Sequence, residues 1–430
     1  IRDFCLSRGL GDVYKRQSIN LKTKIMINRR KVIQSLATLP FAGSLLGANT
    51  LSAQSKTAAV VSSLRRDFFK ELGLRTFINA AGTYTSMTGS LMPKEVIEAI
   101  SYGANEYVNL DDLQDKVGER IGELLECEYA TVSSGCFGAM SIGMAGILTG
   151  KDPKKVKQLP NTDGMKNEVI MQESHTIGYA QALTNVGAKV VKVKTAKQLE
   201  KSITNKTCML WFLNANTDQG DIKWEEFIAL GKKHNIPTFI DCAADVPPVE
   251  NLFRFTKMGF DLVAFSGGKG LRGPQSAGLL LGKRKYIEAA RMHTPPRGET
   301  IGRGMKVNKE EVLGMLAALE LYLQKDHAEE WKMWESQIQL ISDSATSVEG
   351  VESEIHVPKY ANHVPSVRIR WDDKKVKINP DEVRKQLREG HPSIQTVGDA
   401  KSVGITTWMM VPGQERIVAQ RMRDILSSAV

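Results

Sequence analysis

The chain has 430 residues, 42% of them hydrophobic and 25% charged, the balance of a soluble globular protein with room for two domains and a large core. The formal charge of +10 is unevenly spread. Residues 1–53 carry nine Lys/Arg and two Asp/Glu, a net of +7, which leaves +3 for the rest and argues against a nucleic-acid partner. The five cysteines, Cys5, Cys127, Cys136, Cys208 and Cys242, show no Cys-x-x-Cys spacing, so zinc-ribbon, thioredoxin-like and disulfide-framework readings have no support.

Residues 1–17 look foreign to the fold; Cys5 to Gln17 resembles a translated adapter at the end of a reading frame. Met26 is the expected start. From there Arg29-Arg30, a modestly apolar stretch and a small-residue end follow in the order of an export signal, and the Arg-Arg pair suggests the twin-arginine route. Pro40, Gly43 and Gly47 make that stretch a poor permanent membrane span. The alternative is an ordinary N-terminal helix.

A linker, a short helix over 63–72 and a short strand lead to the small-residue loop Asn79 to Tyr84. Helices are predicted over 93–104, opened by Pro93, and over 110–125, with Leu113, Val117, Ile121, Leu124 and Leu125 on one face. The run Tyr129 to Val132 reads as a strand that enters the loop Ser133-Ser134-Gly135-Cys136 and then a helix to Leu148. Such a turn points backbone N–H groups outward, a natural phosphate cradle, although many Ser/Gly turns bind nothing. It lacks the lysine of a Walker loop.

Strands over 169–171, 189–193, 208–213 and 238–241 then alternate with helices over 179–186, 196–203 and 224–234, the pattern of a parallel sheet covered by helices. Ligands in such sheets gather at the carboxyl ends of strands, where His175 and Asp241 fall. Cys208 and Cys242 lie in apolar runs and are expected as buried thiols.

Phe260 to Gly282 is the most informative stretch. Two apolar runs flank Ser266-Gly267-Gly268-Lys269-Gly270, followed by Arg272, Gly273, Pro274 and Gln275. A bare ammonium between buried strands is costly, and a lysine so placed can instead form a Schiff base with a carbonyl. The alternative is a surface hairpin with a solvated lysine. Beyond it come a Pro/Gly/Arg-rich loop (294–307), a long helical region (309–343), strands over 366–371, 393–397 and 405–411, and helices over 380–388 and 414–426, together a small α+β domain.

Taken together, these parts meet the requirements of pyridoxal phosphate (PLP). Lys269 can hold the aldehyde, Asp241 can keep the pyridine nitrogen protonated, Ser134, Gly135 and Cys136, helped by Ser266, can cradle the phosphate, and His175 can cover the ring. Alone, Asp241 would read as a strand-end acid and His175 as structural. In this order the SSGC loop, the histidine, the strand-end aspartate and SGGKGLRGPQSAG resemble the fold-type I PLP enzymes, and within them the group of bacterial selenocysteine synthases and D-glucosaminate-6-phosphate ammonia-lyase-like proteins. FINAAGTY, FIDCAADVPP and ETIGRGMKVNKEEVLGMLAALE carry the same likeness.

The resemblance implies an α/β fold with a large, mostly parallel sheet domain and a small C-terminal α+β domain. The expected divisions are a non-native leader (1–25), an export signal (26–53), an arm (54–90), a PLP-binding domain (91–308), and a connecting helix with the small domain (309–430). It also implies a homodimer or larger assembly and α,β-elimination on a small amino acid or amino-sugar acid; the lack of a dedicated basic tRNA-binding module, together with the export signal, argues against a nucleic-acid partner. Transamination, racemisation, a selenocysteine synthase-like transfer, and a non-catalytic binding protein remain the alternatives. Arg272, Arg303 and Lys306 are candidates for an acidic substrate group or a neighbouring subunit's phosphate. Arg368 or Arg370 can bind a substrate carboxylate, and alternation alone does not choose between two residues on one strand face.

Overall fold

The computed structural model describes residues 66–430. The expected leader (1–25) and the expected export signal (26–53) lie outside the described residues. The chain divides into two units at Leu72/Gly73. In the first, the expected 63–72 helix is described as the single turn Phe68–Glu71, capped by the Asp67 side chain.

The second unit begins with β1 (Phe77–Asn79) and then builds a seven-stranded sheet. Its strands are β2 (Tyr129–Ser134), β3 (Glu168–Gln172), β4 (Lys189–Val193), β5 (Thr207–Leu213), β6 (Thr238–Asp241), β7 (Leu262–Ser266) and β8 (Ala277–Gly282), in the order β2-β8-β7-β6-β5-β3-β4. β8 runs antiparallel to both neighbours, while β7, β6, β5, β3 and β4 pair in parallel. β5, β6 and β8 are buried along their whole length, which is why they read as continuous apolar runs rather than alternating ones. The helix Gly135–Thr149 is buried on nearly every side, between the sheet and the helix Arg284–Arg291.

The small domain carries β9 (Val351–His356), β10 (Ser366–Trp371), β11 (Ser393–Gln395), β12 (Val397–Asp399) and β13 (Ser402–Thr406). Four of these form the antiparallel sheet β12-β13-β10-β9. β11 leaves that sheet and pairs in parallel with β1. Backbone bonds from Ala80 to Gln395 and from Thr406 to Ala80 extend the seam, so the 54–90 arm is stitched to the small domain from residue 77 onward.

Several boundaries differ from the sequence reading. The 309–343 helix is two helices, Lys309–Gln324 and His327–Thr346, because Lys325 is extended and Asp326 caps the second. The 393–397 strand is split between two sheets. The 405–411 strand ends at Thr406, and Trp408 and Met409 turn into a separate apolar cluster with Trp334 and Val364. The 179–186 helix shrinks to Gln181–Thr184 after a 3-10 turn. β9 went unrecognised because VESEIH places charged residues on its exposed face.

Candidate active site

Lys269 sits in the turn between β7 and β8, and its flanking glycines have a packing reason. A Cβ on Gly268 would lie 2.3 Å from Gln275 Cα, and one on Gly270 would lie 2.0 Å from the Val246 carbonyl oxygen. Both approaches are to backbone, which cannot swing aside, so only glycine lets this turn close on its neighbours. Ser90 Oγ donates to the Gly268 carbonyl at 3.0 Å and holds the turn from the other side.

Lys269 lines a cavity of about 470 Å³ with the Ala81–Thr85 loop, Tyr179, Asn362 and Arg368. Arg368 and Arg370 both reach Glu354 on β9, at 3.2 and 3.5 Å, but only Arg368 borders the cavity.

Asp241, at the end of β6, is buried. Its Oδ1 accepts from Ala243 N–H at 3.0 Å and from Cys136 Sγ at 3.4 Å. Burial pushes its carboxyl up, partly offset by these donors and by the field of the Lys269 ammonium. Its second oxygen, Oδ2, accepts from no described residue. A buried carboxylate with one free oxygen fits a cationic or N–H partner, as a protonated pyridine nitrogen would be.

The helix Gly135–Thr149 supplies the other half of the test. Asn109, Asp152, Asp326 and Asn379 cap their helices with side chains, whereas Ser134 does not cap this one. Its hydroxyl and the first N–H groups are left for an anion. Ser133 Oγ instead donates to the Gly135 carbonyl at 3.0 Å. Cys136 contributes only its backbone to this cradle, since its thiol turns inward to Asp241. Ser266 ends β7, half-buried. The residues present therefore fit PLP.

His175 follows β3 with no accessible surface. Its edge meets Phe212 with ring centroids 4.4 Å apart, and its Nδ1 accepts from Leu213 N–H at 3.2 Å. Gln172 Nε2 lies 3.3 Å from its Nε2. The ring thus braces β3 against β5 and presents no open face to the cavity. Burial pulls its pKa down to about 4. A histidine kept neutral in the fold contributes stability that is present above about pH 6.5 and lost as the pH falls toward 4. Denaturation midpoints across that window are expected to fall less steeply in His175→Asn than in the wild type.

Arg272 departs from expectation. It holds a positive φ of 54°, and its guanidinium donates to the Trp408 carbonyl at 2.6 Å and approaches Glu330 at 3.9 Å. It ties the lysine turn to the small domain and does not border the cavity. Arg303 and Lys306 are exposed, on a loop whose Met305 and Val307 lie beside Ser133 and Ser134. Neither makes an ion pair with a described residue.

The sequence reading passed over Asp245. It is buried four residues after Asp241, and burial, with the Asp241 charge adding, pushes its pKa up to about 6. The repeated acid in DCAAD was the available signal. Cys136, Cys208 and Cys242 are buried free thiols.

Residues 173–361 match the family model of L-seryl-tRNA selenium transferases (SelA). The D-glucosaminate-6-phosphate ammonia lyase of Salmonella typhimurium is 26% identical over 377 residues, covering 84% of this chain and 99% of that protein. A solved D-glucosaminate-6-phosphate ammonia-lyase superposes with a TM-score of 0.75 at 25% identity, over 85% of this chain and all of the other. The chain is a fold-type I, PLP-dependent enzyme. An L-seryl-tRNA(Sec) selenium transferase of Caldanaerobacter subterraneus is 26% identical, but over 59% of this chain and 58% of its own length. Among the described residues of this PLP enzyme, no helix is long and apolar enough to cross a membrane.

Proposed function

We propose that the chain is a PLP-dependent ammonia-lyase that performs α,β-elimination on a small amino acid or amino-sugar acid. The observation that carries this reading is one cavity bordered by both Lys269 and Arg368, an amine and a carboxylate anchor on opposite domains. The near-full-length likeness to an ammonia lyase supports elimination over the other PLP reactions.

Bound PLP supplies an electron sink for the substrate's α-carbon. The chain's residues do the rest. The N–H groups at Gly135 and Cys136, with the Ser134 hydroxyl, take the phosphate. Lys269 would hold the cofactor through its Nζ and would be a free amine once the substrate is bound. Asp241 would hold the proton on the cofactor's ring nitrogen, and Arg368 orients the substrate carboxylate. Lys269 Nζ, freed as an amine, takes the α-proton. The β-hydroxyl leaves with a proton as water, and the released enamine tautomerises and hydrolyses to a keto acid and ammonia.

Exposed apolar side chains at Leu91, Ile97, Tyr102, Tyr107 and Val108 support a homodimer. In that assembly Arg303 and Lys306 would serve the phosphate of the neighbouring subunit. The Arg29-Arg30 segment supports export of the folded enzyme.

The test is ammonia release by the purified holoenzyme from D-glucosaminate, its 6-phosphate and a panel of β-hydroxy amino acids. Release of ammonia with formation of a keto acid is the expected result; amine exchange with a keto acid, without net ammonia, overturns elimination. With the best substrate, Arg368→Ala is expected to raise KM by about 10-fold or more, the loss of a charge-assisted contact. Arg370→Ala, outside the cavity, is expected to change KM less than about 3-fold.

A further inference from the structure

The segment from His356 to Val364 joins β9 to β10 and forms one wall of the Lys269 cavity through His356, Pro358, Asn362 and Val364. Its opposite side is fastened to the large domain at successive points. Lys359 Nζ meets Asp218 at 3.0 Å, and the Tyr360 ring stands edge-on to Trp224 at 5.8 Å. Ala361 N–H donates to Asp245 Oδ1 at 3.0 Å, and Asn362 N–H donates to the Ala244 carbonyl at 2.6 Å.

These fastenings differ in kind. The Lys359–Asp218 pair is exposed and screened. The Asp245 carboxylate is buried, where a charge-assisted bond is stronger and its loss more costly. Ala361 and Asn362 have φ of 46° and 50°, two successive left-handed residues that lack the freedom of glycine. Such a turn persists only where its surroundings hold it, and the Asp245 carboxylate and the Ala244 carbonyl receive the two N–H groups it presents. Asp245 is also held from behind. Asn214 lies against its carboxylate, and Trp224 Nε1 donates to Asn214 Oδ1 at 3.0 Å. The indole that supports Asp245 is thus the one against which Tyr360 packs.

We propose that Asp245 is a positioning residue, the latch that seats the 356–364 strap, and with it one wall of the substrate cavity, on the domain that carries Lys269. Asp245 does not touch the reacting atoms in this role; it sets the distance between Lys269 on one side and Asn362 and Arg368 on the other. The kinetic consequence rests on the reading of this cavity as the substrate site, whereas hydrogen exchange needs no substrate and tests the latch by itself.

The experiment is amide hydrogen exchange of the holoenzyme, with Asp245→Ala, Asp245→Asn and Asp218→Ala beside the wild type. In Asp245→Ala the amides of 356–364 are expected to exchange about 10- to 100-fold faster, while β2 to β8 stay protected and the cofactor's visible absorbance is retained. Asp245→Asn, whose side-chain oxygen still accepts from Ala361 N–H, falls between the two, and Asp218→Ala stays within about 3-fold of the wild type. With D-glucosaminate as the probe amine, KM rises more than kcat falls in the alanine variant. Strap exchange equal in wild type and Asp245→Ala, faster exchange throughout the sheet, or loss of the visible absorbance with the strap still protected would each overturn the latch. If Asp245→Ala does not fold, the asparagine variant decides by the same criteria.

Discussion

Lys269→Ala is expected to abolish turnover, with a loss of at least about 1,000-fold, and to remove the covalent cofactor altogether. Borohydride treatment of the wild-type holoenzyme fixes a pyridoxyl group on the peptide that contains Lys269; in the variant no peptide carries it. The size of the effect follows from two tasks assigned to one amine, holding the cofactor and moving the α-proton. No other amine can take over from the same turn. Lys283, the next lysine along the chain, lies beyond β8 and is committed to an ion pair with Asp261. The fold itself should tolerate the change, since Lys269 is only half-buried and its glycine neighbours, not its side chain, fill the tight contacts. A label found on any other residue, or appreciable turnover by the alanine variant, would refute the assignment.

What was legible in the sequence follows from the range of the forces involved. The strand 238–241 and the helix 224–234 were read with their full bounds, because burial on a sheet writes local apolar runs and helical periodicity into the chain; the edge strand 189–193 was read from its valines, although only Val193 is buried. The lysine turn was legible because backbone approach demands glycine at particular places, and that demand is local too. Arg368 and Arg370 could not be separated in this way. They share a strand face, and what selects between them is the cavity wall contributed by the 81–85 loop and by β12 and β13. The repeated acid in DCAAD marked Asp245 but could not tell its task, for a stronger reason. Its partner Ala361 lies 116 residues away and offers only a backbone N–H, which leaves no side-chain signature. Arg272 misled because a basic residue beside a lysine in a glycine turn suggests an anion, whereas its guanidinium is taken up by a carbonyl more than a hundred residues downstream. His175 was picked out by its place after β3, but its ring edge and its nitrogens are used by Phe212, Leu213 and Gln172, neighbours that the strand order alone does not reveal.

Asp241→Asn separates the cofactor's electronics from its binding. Asparagine keeps the shape of the side chain and an oxygen for Ala243 N–H, so the turn after β6 should survive. What it removes is the charge opposite the ring nitrogen. The wild-type carboxylate is buried and, without a cationic partner, is held above the usual carboxylate range. An acid whose pKa is raised by folding makes its stabilising contribution at low pH and loses it as the pH rises through the folded value. At neutral pH the cofactor-free wild type therefore bears the cost of burying this carboxyl, and cofactor-free Asp241→Asn is expected to be the more stable of the two. Cofactor binding reverses the order. A protonated ring nitrogen neutralises Asp241, so saturating PLP raises the melting temperature of the wild type more than that of the variant. Turnover with saturating cofactor is expected to fall by about 100-fold or more, because an unprotonated ring draws electrons from the α-carbon far less well. Thermal shift with and without PLP, alongside kcat, measures both effects. A variant whose kcat stays within a few-fold of the wild type, or whose PLP-induced shift equals it, would show that Asp241 serves only as a strand-end acid. Because the same carboxylate accepts from the Cys136 thiol at the start of the helix Gly135–Thr149, its charge also bears on how the first turn of that helix is held.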